Sequence, residues 1–193
     1  MSAGRGGWYL SGMLTGDLVR LRAMEPEDAE ALWRWNHDPQ VMRWLDTSYP
    51  QSLAQTRRRV EEREPNSSYE RLLLAIETRD EGRLIGVTCL RDFEAENGMA
   101  VLDIYLGEKD AWGQGHGTDA VRTLCRYGFD QLRLHSITLW VVADNAAARR
   151  AYAKAGFTED GRQREGFRRD GRWYDLILMT VLEHELRPPE HAG

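Results

Sequence analysis

Apolar residues along this chain follow a strand period in some segments and a helix period in others. Residues 18–22 alternate apolar and charged side chains, which predicts a first strand. Two helices are predicted next, one that begins near Pro26 and ends near Asn36 and one from Ser52 to Arg63. Six more strands are predicted further along: Arg71 to Thr78, Leu84 to Asp92, Met99 to Gly107, Ser136 to Val142, Phe157 to Arg168 and Arg172 to Leu182.

Two further helices are predicted between those strands. Residues 118–132 carry an apolar stripe suited to docking on a sheet, and a shorter helix is predicted with Asn145 as its N-cap and Gly156 as its stop. Turns are predicted at three glycine-containing sites, Asp80-Glu81-Gly82, Glu96-Asn97-Gly98 and Asp170-Gly171. The element order is therefore β-α-α-β-β-β-α-β-α-β-β.

Length and composition are those of one globular domain. The chain has 193 residues, of which 41% are hydrophobic and 30% charged. We expect a flexible leader over residues 1–13, a single domain over 14–186 and a disordered tail over 187–193. The glycine-rich start lacks the apolar core of a secretion signal, and no apolar run approaches the roughly 20 residues of a membrane span. These features predict a cytoplasmic protein with no membrane partner.

Net charge and cysteine content limit the kinds of partner and ligand that we expect. A formal net charge of -5 argues against a nucleic-acid partner, because nucleic-acid binders are usually basic. It leaves room for a cationic substrate. Cys89 and Cys125 lack the spacing of metal ligands, so no metal is expected and both are predicted to be buried thiols.

A glycine-rich segment separates the strand that ends near Gly107 from the helix that starts near Thr118. It reads Trp112-Gly113-Gln114-Gly115-His116-Gly117-Thr118. Alternate glycines let a ligand approach the backbone, and the following helix N-terminus offers free N–H groups that suit a phosphate. The segment lacks the Gly-Lys-Ser/Thr ending of a Walker A loop and the G-x-G-x-x-G spacing of a dinucleotide fingerprint. An ordinary glycine-rich connection stays open as the alternative.

A second segment, residues 145–157, contains a short helix with one functional face. Ala148, Tyr152 and Ala155 are spaced four and then three residues apart, so they share that face. The Tyr152 hydroxyl is therefore expected beside whatever element the helix packs against.

Together the two segments resemble the GCN5-related N-acetyltransferases (GNAT), in the branch of the ribosomal-protein N-terminal and spermidine acetyltransferases. The resemblance covers about Leu18 to Leu186 and rests on W-G-Q-G-H-G-T-D-A followed by N-A-A-A-R-R-A-Y-A-K-A-G-F. It implies an α/β (α+β) fold in which helices flank a mixed, mostly antiparallel sheet of about seven strands. It also implies a splayed strand pair that holds acyl-CoA.

The activity that the resemblance implies is acetyl transfer from acetyl-CoA to a primary amine, by direct transfer and without a metal. The amine could belong to a protein N-terminus, a polyamine or a small molecule. A catalytically silent acyl-CoA sensor or interaction module of the same fold also stays open. Val101 favours that alternative, because many relatives have Glu at this position.

The resemblance also assigns site residues. Tyr152 takes the position of the general acid that protonates the CoA thiolate, with simple packing as its alternative role. Asn145 is expected to bridge to the pantetheine as well as to cap its helix. A main-chain N–H near Tyr105 or Leu106 is expected to stabilise the oxyanion. Main-chain N–H groups of five residues are expected around the pyrophosphate: Gln114, Gly115, His116, Gly117 and Thr118.

The candidate base lies on the strand before the glycine-rich segment. Asp103 shares a strand face with Val101 and Tyr105, two residues away on either side. It is predicted to accept the amine proton through a water, and its alternative is a solvated strand residue. A Lys amine, with a reference pKa of about 10.4, needs such a base more than an α-amine at about 7.7–8.0.

Two further groups bear on the acceptor. One comprises four aromatic residues that could bind a cation or belong to the core, Trp33, Trp35, Trp44 and Tyr49. The other comprises arginines of the last hairpin, either solvated or guiding the 3′-phosphate of CoA or an acidic polypeptide: Arg162, Arg164, Arg168, Arg169 and Arg172. The same hairpin could pair across a homodimer.

Overall fold

The computed structural model describes residues 9–10, 13–46, 50–62, 66–67 and 70–188. Within them the helices are α1 Ala29–Asn36, α2 Leu53–Glu61, α3 His116–Asp130 and α4 Ala146–Ala155. The strands are β1 Tyr9–Leu10, β2 Met13–Thr15, β3 Val19–Ala23, β4 Arg71–Thr78, β5 Leu84–Glu94, β6 Met99–Leu106, β7 Ser136–Val142, β8 Thr158–Arg169 and β9 Arg172–Leu182. Short 3-10 helices lie at Pro26–Asp28, Met42–Trp44, Lys109–Ala111 and Glu183–Glu185.

All nine strands form one sheet in the order β1-β2-β3-β4-β5-β6-β7-β9-β8. The neighbours are antiparallel except β6 and β7, which are parallel. From β3 onward the element order is the predicted one, and the mixed, mostly antiparallel sheet is confirmed. The sheet has two strands beyond the seven expected, because β1 and β2 are too short to show a period in the sequence.

The N-terminal leader and the C-terminal tail fall largely outside the described residues. Within the expected leader, Tyr9–Leu10 and Met13 are described, and both segments pair with a neighbouring strand. The sheet therefore begins earlier in the chain than the apolar pattern indicates. Residues 1–8, 11–12 and 189–193 are not described, and the domain limits stay a prediction.

The parallel strands β6 and β7 pair only over their first three residues. The register runs from Met99↔Ser136 to Val101↔Thr138, after which β6 continues to Leu106 without a β7 partner. On its other edge β7 pairs with β9 along its whole length. A gap therefore opens in the middle of the sheet toward the carboxyl ends of β6 and β7. This confirms the expected splayed strand pair.

Hydrophobic residues cover both faces of the sheet. The larger cluster lies under α3 and α4 and includes Leu124, Phe129 and Ile137. A smaller cluster lies under α1 and α2 on the other face and centres on Trp35 and Val87. Both cysteines are free and buried, as predicted.

Local signals set the ends of the elements near the gap. The Asn145 side chain accepts from the Ala148 N–H at 3.2 Å, and Gly156 ends α4 at a φ of 115°, so both predicted ends of this helix are confirmed. Asp170 and Gly171 both have positive φ, at 51° and 76°, which fits a two-residue hairpin turn.

Candidate active site

The first candidate element is the glycine-rich turn that leads into α3. Gly113 and Gly115 adopt left-handed φ values of 74° and 91°, and α3 begins at His116, two residues earlier than predicted. The first main-chain bond of the helix runs from the Asp119 N–H to the Gly115 oxygen at 3.0 Å. The N–H groups of the residues before Asp119 therefore have no partner within the helix, and the positive end of its dipole lies among them.

Side chains of this turn fold back onto the preceding segment. The Gln114 amide donates to the Asp110 oxygen, and His116 Nδ1 lies 3.3 Å from the Ala111 oxygen. Trp112 Nε1 donates to the Leu106 oxygen at 3.0 Å, which ties the turn to the end of β6. The outer surface of the turn is consequently left to the main chain.

The turn also has room for a ligand. A Cβ added at Gly113 would meet no heavy atom within 4 Å, and one added at Gly117 would meet only a Leu106 methyl, at 3.8 Å. Such an open, amide-lined helix start fits a pyrophosphate without a metal. Among the described residues, no group of three or more His, Cys, Asp or Glu side chains could hold a metal ion.

Asp119 is a residue of this site that the sequence interpretation missed. Its buried carboxylate accepts from the N–H groups of Asp17, Leu18 and Val19 at 3.2, 2.7 and 3.0 Å. A Cβ at Gly16 would lie 2.4 Å from Asp119 Oδ2, so glycine is the residue that fits there. The only available signal was an acid on the buried side of α3, and its partners lie about a hundred residues away. Asp119 holds the start of α3 against the turn between β2 and β3.

Tyr152 projects from α4 into the larger core cluster. It is 9% exposed, and its ring lies 6.0 Å from that of Phe157. Burial raises the pKa of its hydroxyl above the usual value, and the negative charge of Asp103 adds to the shift. Tyr152 is therefore a neutral donor at physiological pH.

Asp103 lies on β6 at the start of the gap, on the face opposite the larger core cluster. Its side chain is 53% exposed, and both carboxylate oxygens accept from Arg91 on the neighbouring strand. Tyr105 shares this face and meets the edge of the Trp35 ring, with 6.1 Å between ring centroids. The ion pair of Asp103 with Arg91 was not anticipated from the sequence.

Comparison with known protein families identifies the family of this chain. The family model of the acetyltransferase (GNAT) domain matches residues 19–158. This range includes the glycine-rich turn, strands β6 and β7 with the gap between them, and all of α4. The chain belongs to the GNAT acetyltransferase family. It is an acyltransferase enzyme that moves an acetyl group to an amine, and the GNAT family uses acetyl-CoA as donor.

Similar proteins carry N-acetyltransferase names. The probable N-acetyltransferase YjcK of Bacillus subtilis is 31% identical over 88% of this chain and 97% of its own. The putative ribosomal N-acetyltransferase YdaF of the same species is 26% identical, over 86% and 92%. Among solved structures, the Vibrio cholerae spermidine N-acetyltransferase in complex with CoA and spermine superposes with a TM-score of 0.73 at 23% identity, over 87% and 97%. The last likeness shows the shared fold.

Three of the four aromatic residues predicted to cluster near the acceptor are described, and their surroundings differ. Trp35 is a core residue, 2% exposed, whereas Trp33 is half-buried and donates to the Gln51 oxygen at 3.0 Å. The Trp44 ring packs against Tyr174 of the last hairpin rather than against α1 or α2. Tyr49 lies outside the described residues. The core interpretation holds for Trp35, and Trp44 reaches β9 on the far side of the gap.

No helix within the described ranges is long and apolar enough to cross a membrane.

Proposed function

We propose that this GNAT enzyme transfers acetyl directly from acetyl-CoA, bound in the gap between β6 and β7, to a primary amine that enters from the α1 and α2 face. The observation that carries the proposal is one juxtaposition. A parallel strand pair separates beside a helix start lined by main-chain N–H groups, and the neighbouring helix α4 carries a buried tyrosine hydroxyl that stays neutral.

Donor binding rests on main-chain groups. The N–H groups of Gln114, Gly115, His116, Gly117 and Thr118 would hold the pyrophosphate at the start of α3. The edge of β6 that faces the gap would hold the pantetheine, with an N–H near Tyr105 or Leu106 donating to the thioester oxygen as it becomes negative. Asn145 has its side-chain oxygen on its own helix, so its amide nitrogen is the group free to donate to the pantetheine.

The chemical step forms one bond and breaks another. The amine nitrogen attacks the thioester carbon, the carbon–sulfur bond breaks, and the sulfur leaves as a thiolate. Tyr152 donates a proton to that sulfur, for which a phenol kept neutral by burial is suited. The surplus proton of the attacking nitrogen passes to Asp103 through a water.

Arg91 limits what Asp103 can do. Both oxygens of the carboxylate already accept from the guanidinium, so a direct approach of the amine would have to displace a charged hydrogen bond. A water that bridges the amine and the outer lone pairs of Asp103 avoids this cost. In this proposal Asp103 therefore accepts the proton through a bridging water and does not contact the amine directly.

The test is acceptor-dependent release of free CoA thiol. Purified protein is mixed with acetyl-CoA and a panel of amines that includes peptides, spermidine and small amines, and thiol release is followed with a chromogenic reagent. We expect release that depends on both an acceptor and Tyr152, with Tyr152→Phe as the matched control. Tight CoA binding in calorimetry with no acceptor-dependent release would instead indicate a silent binding module.

A further inference from the structure

Three aromatic rings and three arginines form one surface near the end of the last hairpin. Trp44 meets Tyr174 with 5.2 Å between ring centroids, and Phe167 lies 6.4 Å from each of them. A guanidinium lies over each ring, with Arg43 4.7 Å from the Trp44 centroid, Arg169 5.4 Å from Phe167 and Arg172 5.7 Å from Tyr174. We call these six residues the arginine–aromatic surface.

The arginine–aromatic surface lies beyond the end of the gap. The last pair of β7 with β9 is Val142↔Leu176, whereas Phe167 pairs with Tyr174 further along the hairpin. The hairpin therefore extends past the carboxyl end of β7, the end toward which the gap opens.

The arginine–aromatic surface also belongs to the face from which an acceptor would approach. Tyr174 alternates with the core residue Ile177 and so faces the α1 side of the sheet. Arg169 donates to the Leu45 oxygen, which joins the hairpin to the segment between α1 and α2. Tyr152 belongs to the opposite face, with α3 and α4. An amine that enters the gap from the α1 side would consequently carry the rest of its molecule past these arginines.

Two carboxylates on this side of the sheet are already paired. Asp103 pairs with Arg91, and Asp38 pairs with Lys109 at 2.6 Å. In the described part of the chain, by contrast, no carboxylate lies within 4.0 Å of the Arg43, Arg169 or Arg172 guanidinium. The surface therefore offers unpaired positive charge.

Arg169 adds a second, independent observation. Its Nε is buried, and no hydrogen-bond partner for it is found among the described residues. A buried donor without an acceptor is costly, and the positive charge of this guanidinium has no carboxylate beside it among the described residues.

We infer that the arginine–aromatic surface binds carboxylate groups of the acceptor, so that the acetylated amine belongs to a molecule with acidic groups near it, as in the N-terminal segment of an acidic peptide. The inference rests on the proposed function and names its substrate class. Planar guanidinium groups held on rings are arranged for bidentate pairing with carboxylates. A polyamine would instead bring positive charge against three arginines.

The test compares acceptors that differ in charge alone. Three peptides share an N-terminal Ser and continue with acidic, neutral amide or basic residues, and spermidine and free glutamate complete the set. We expect kcat/KM for the acidic peptide to exceed that for the neutral peptide by about 10-fold or more, with the basic peptide and spermidine below both. Comparison of the acidic peptide with free glutamate tells a polypeptide from a small acidic amine.

Two variants assign the effect to this surface. Arg172→Ala should raise KM for the acidic peptide about 10-fold, change KM for the neutral peptide much less, and lose its effect at high salt. Arg168→Ala is the matched control. Arg168 also stacks over an aromatic ring of this hairpin, that of Trp173 at 5.5 Å, but this pair lies on the opposite face of the hairpin from the arginine–aromatic surface. It should change none of these values.

Other outcomes would overturn the inference. Equal or better use of spermidine or the basic peptide would do so. A rise in KM for acetyl-CoA in Arg172→Ala would assign the arginines to the 3′-phosphate of the donor. If no amine is acetylated, the proposed function fails, and calorimetry of the acidic peptide with the CoA-loaded protein still decides the inference. Binding that weakens in Arg172→Ala but not in Arg168→Ala supports it, and no binding overturns it.

Discussion

The two sides of the gap between β6 and β7 are built from different chemical groups. On the proposed donor side, main-chain N–H groups line the start of α3, and the side chains of Gln114 and His116 turn back from it. On the proposed acceptor side, rings and guanidinium groups meet from segments 124 residues apart, as the contact of Arg169 with Leu45 shows. One side presents backbone, and the other presents side chains.

This difference determines how each side responds to substitution. Only a proline substitution removes a main-chain N–H, so other substitutions change the donor side through added atoms or movement of α3. The chemistry of the acceptor side changes with any single side chain. A family built in this way can keep one donor and vary its acceptors, and acceptor identity must be argued from the residues of each chain.

The largest effect is expected at Tyr152, the proposed general acid. If its hydroxyl protonates the departing thiolate, Tyr152→Phe should lower kcat by roughly 10²–10⁴ with a much smaller change in acetyl-CoA affinity. Steady-state rates and calorimetry measure the two separately. Because burial raises the pKa of this hydroxyl, any loss of rate from its ionisation should begin only above the ordinary phenol value of about 10. Wild-type turnover in the variant would leave Tyr152 a packing residue.

The second effect should separate the position of α3 from the chemistry at its start. Asp119→Asn replaces a carboxylate that accepts three N–H groups by an amide that also carries donors. We expect the free energy of unfolding to fall by about 3 kcal/mol, because hydrogen bonds to a buried charge are lost. Urea denaturation measures this loss, and calorimetry should show weaker acetyl-CoA binding.

Asp130→Asn serves as the control for Asp119→Asn, since Asp130 is an exposed acid at the other end of the same helix. It should leave both quantities nearly unchanged. Equal stability of the two variants would mean that Asp119 does not hold α3 in place.

Sequence patterns predicted the ends of α4 far better than the contacts between distant segments. The α4 cap at Asn145 and the stop at Gly156 depend on neighbouring residues, so local sequence carries their signal. Asp119 and Trp44 find their partners far along the chain, and no local pattern reveals such pairs. The Arg91–Asp103 pair joins adjacent strands and depends on register, which the sequence left open. The strands β1 and β2 escaped prediction because two or three residues show no alternation.

A smaller effect tests whether the glycine turn binds acetyl-CoA. Gly115 is a poor choice because its φ of 91° strains any side chain. Gly117 has no such φ, and an added Cβ would meet only Leu106 at ordinary contact distance. Gly117→Ala should therefore fold at least as stably, since alanine favours helices, while acetyl-CoA affinity falls about 10-fold from contact with the pyrophosphate.

Thermal melting and calorimetry check the two halves of that prediction for Gly117→Ala. Gly171→Ala adds the comparison, because it places a Cβ at a positive φ of 76° in the distant hairpin turn. It should lower stability and spare acetyl-CoA binding. Unchanged affinity in Gly117→Ala would remove the turn from the donor site.

The smallest effect is expected at Asp103 and depends on pH. If Asp103 accepts the amine proton through water, Asp103→Asn should slow the reaction most at low pH, where the acceptor is an ammonium ion. The loss should shrink as pH rises and should be larger for a side-chain amine, with a reference pKa of about 10.4, than for an α-amine at about 7.7–8.0. Asp92→Asn is the control, because it removes the other carboxylate that pairs with Arg91. An equal, pH-independent loss for both acceptors would mean that Asp103 attracts the cation rather than deprotonating it, and the acceptor side would then contribute binding without proton transfer.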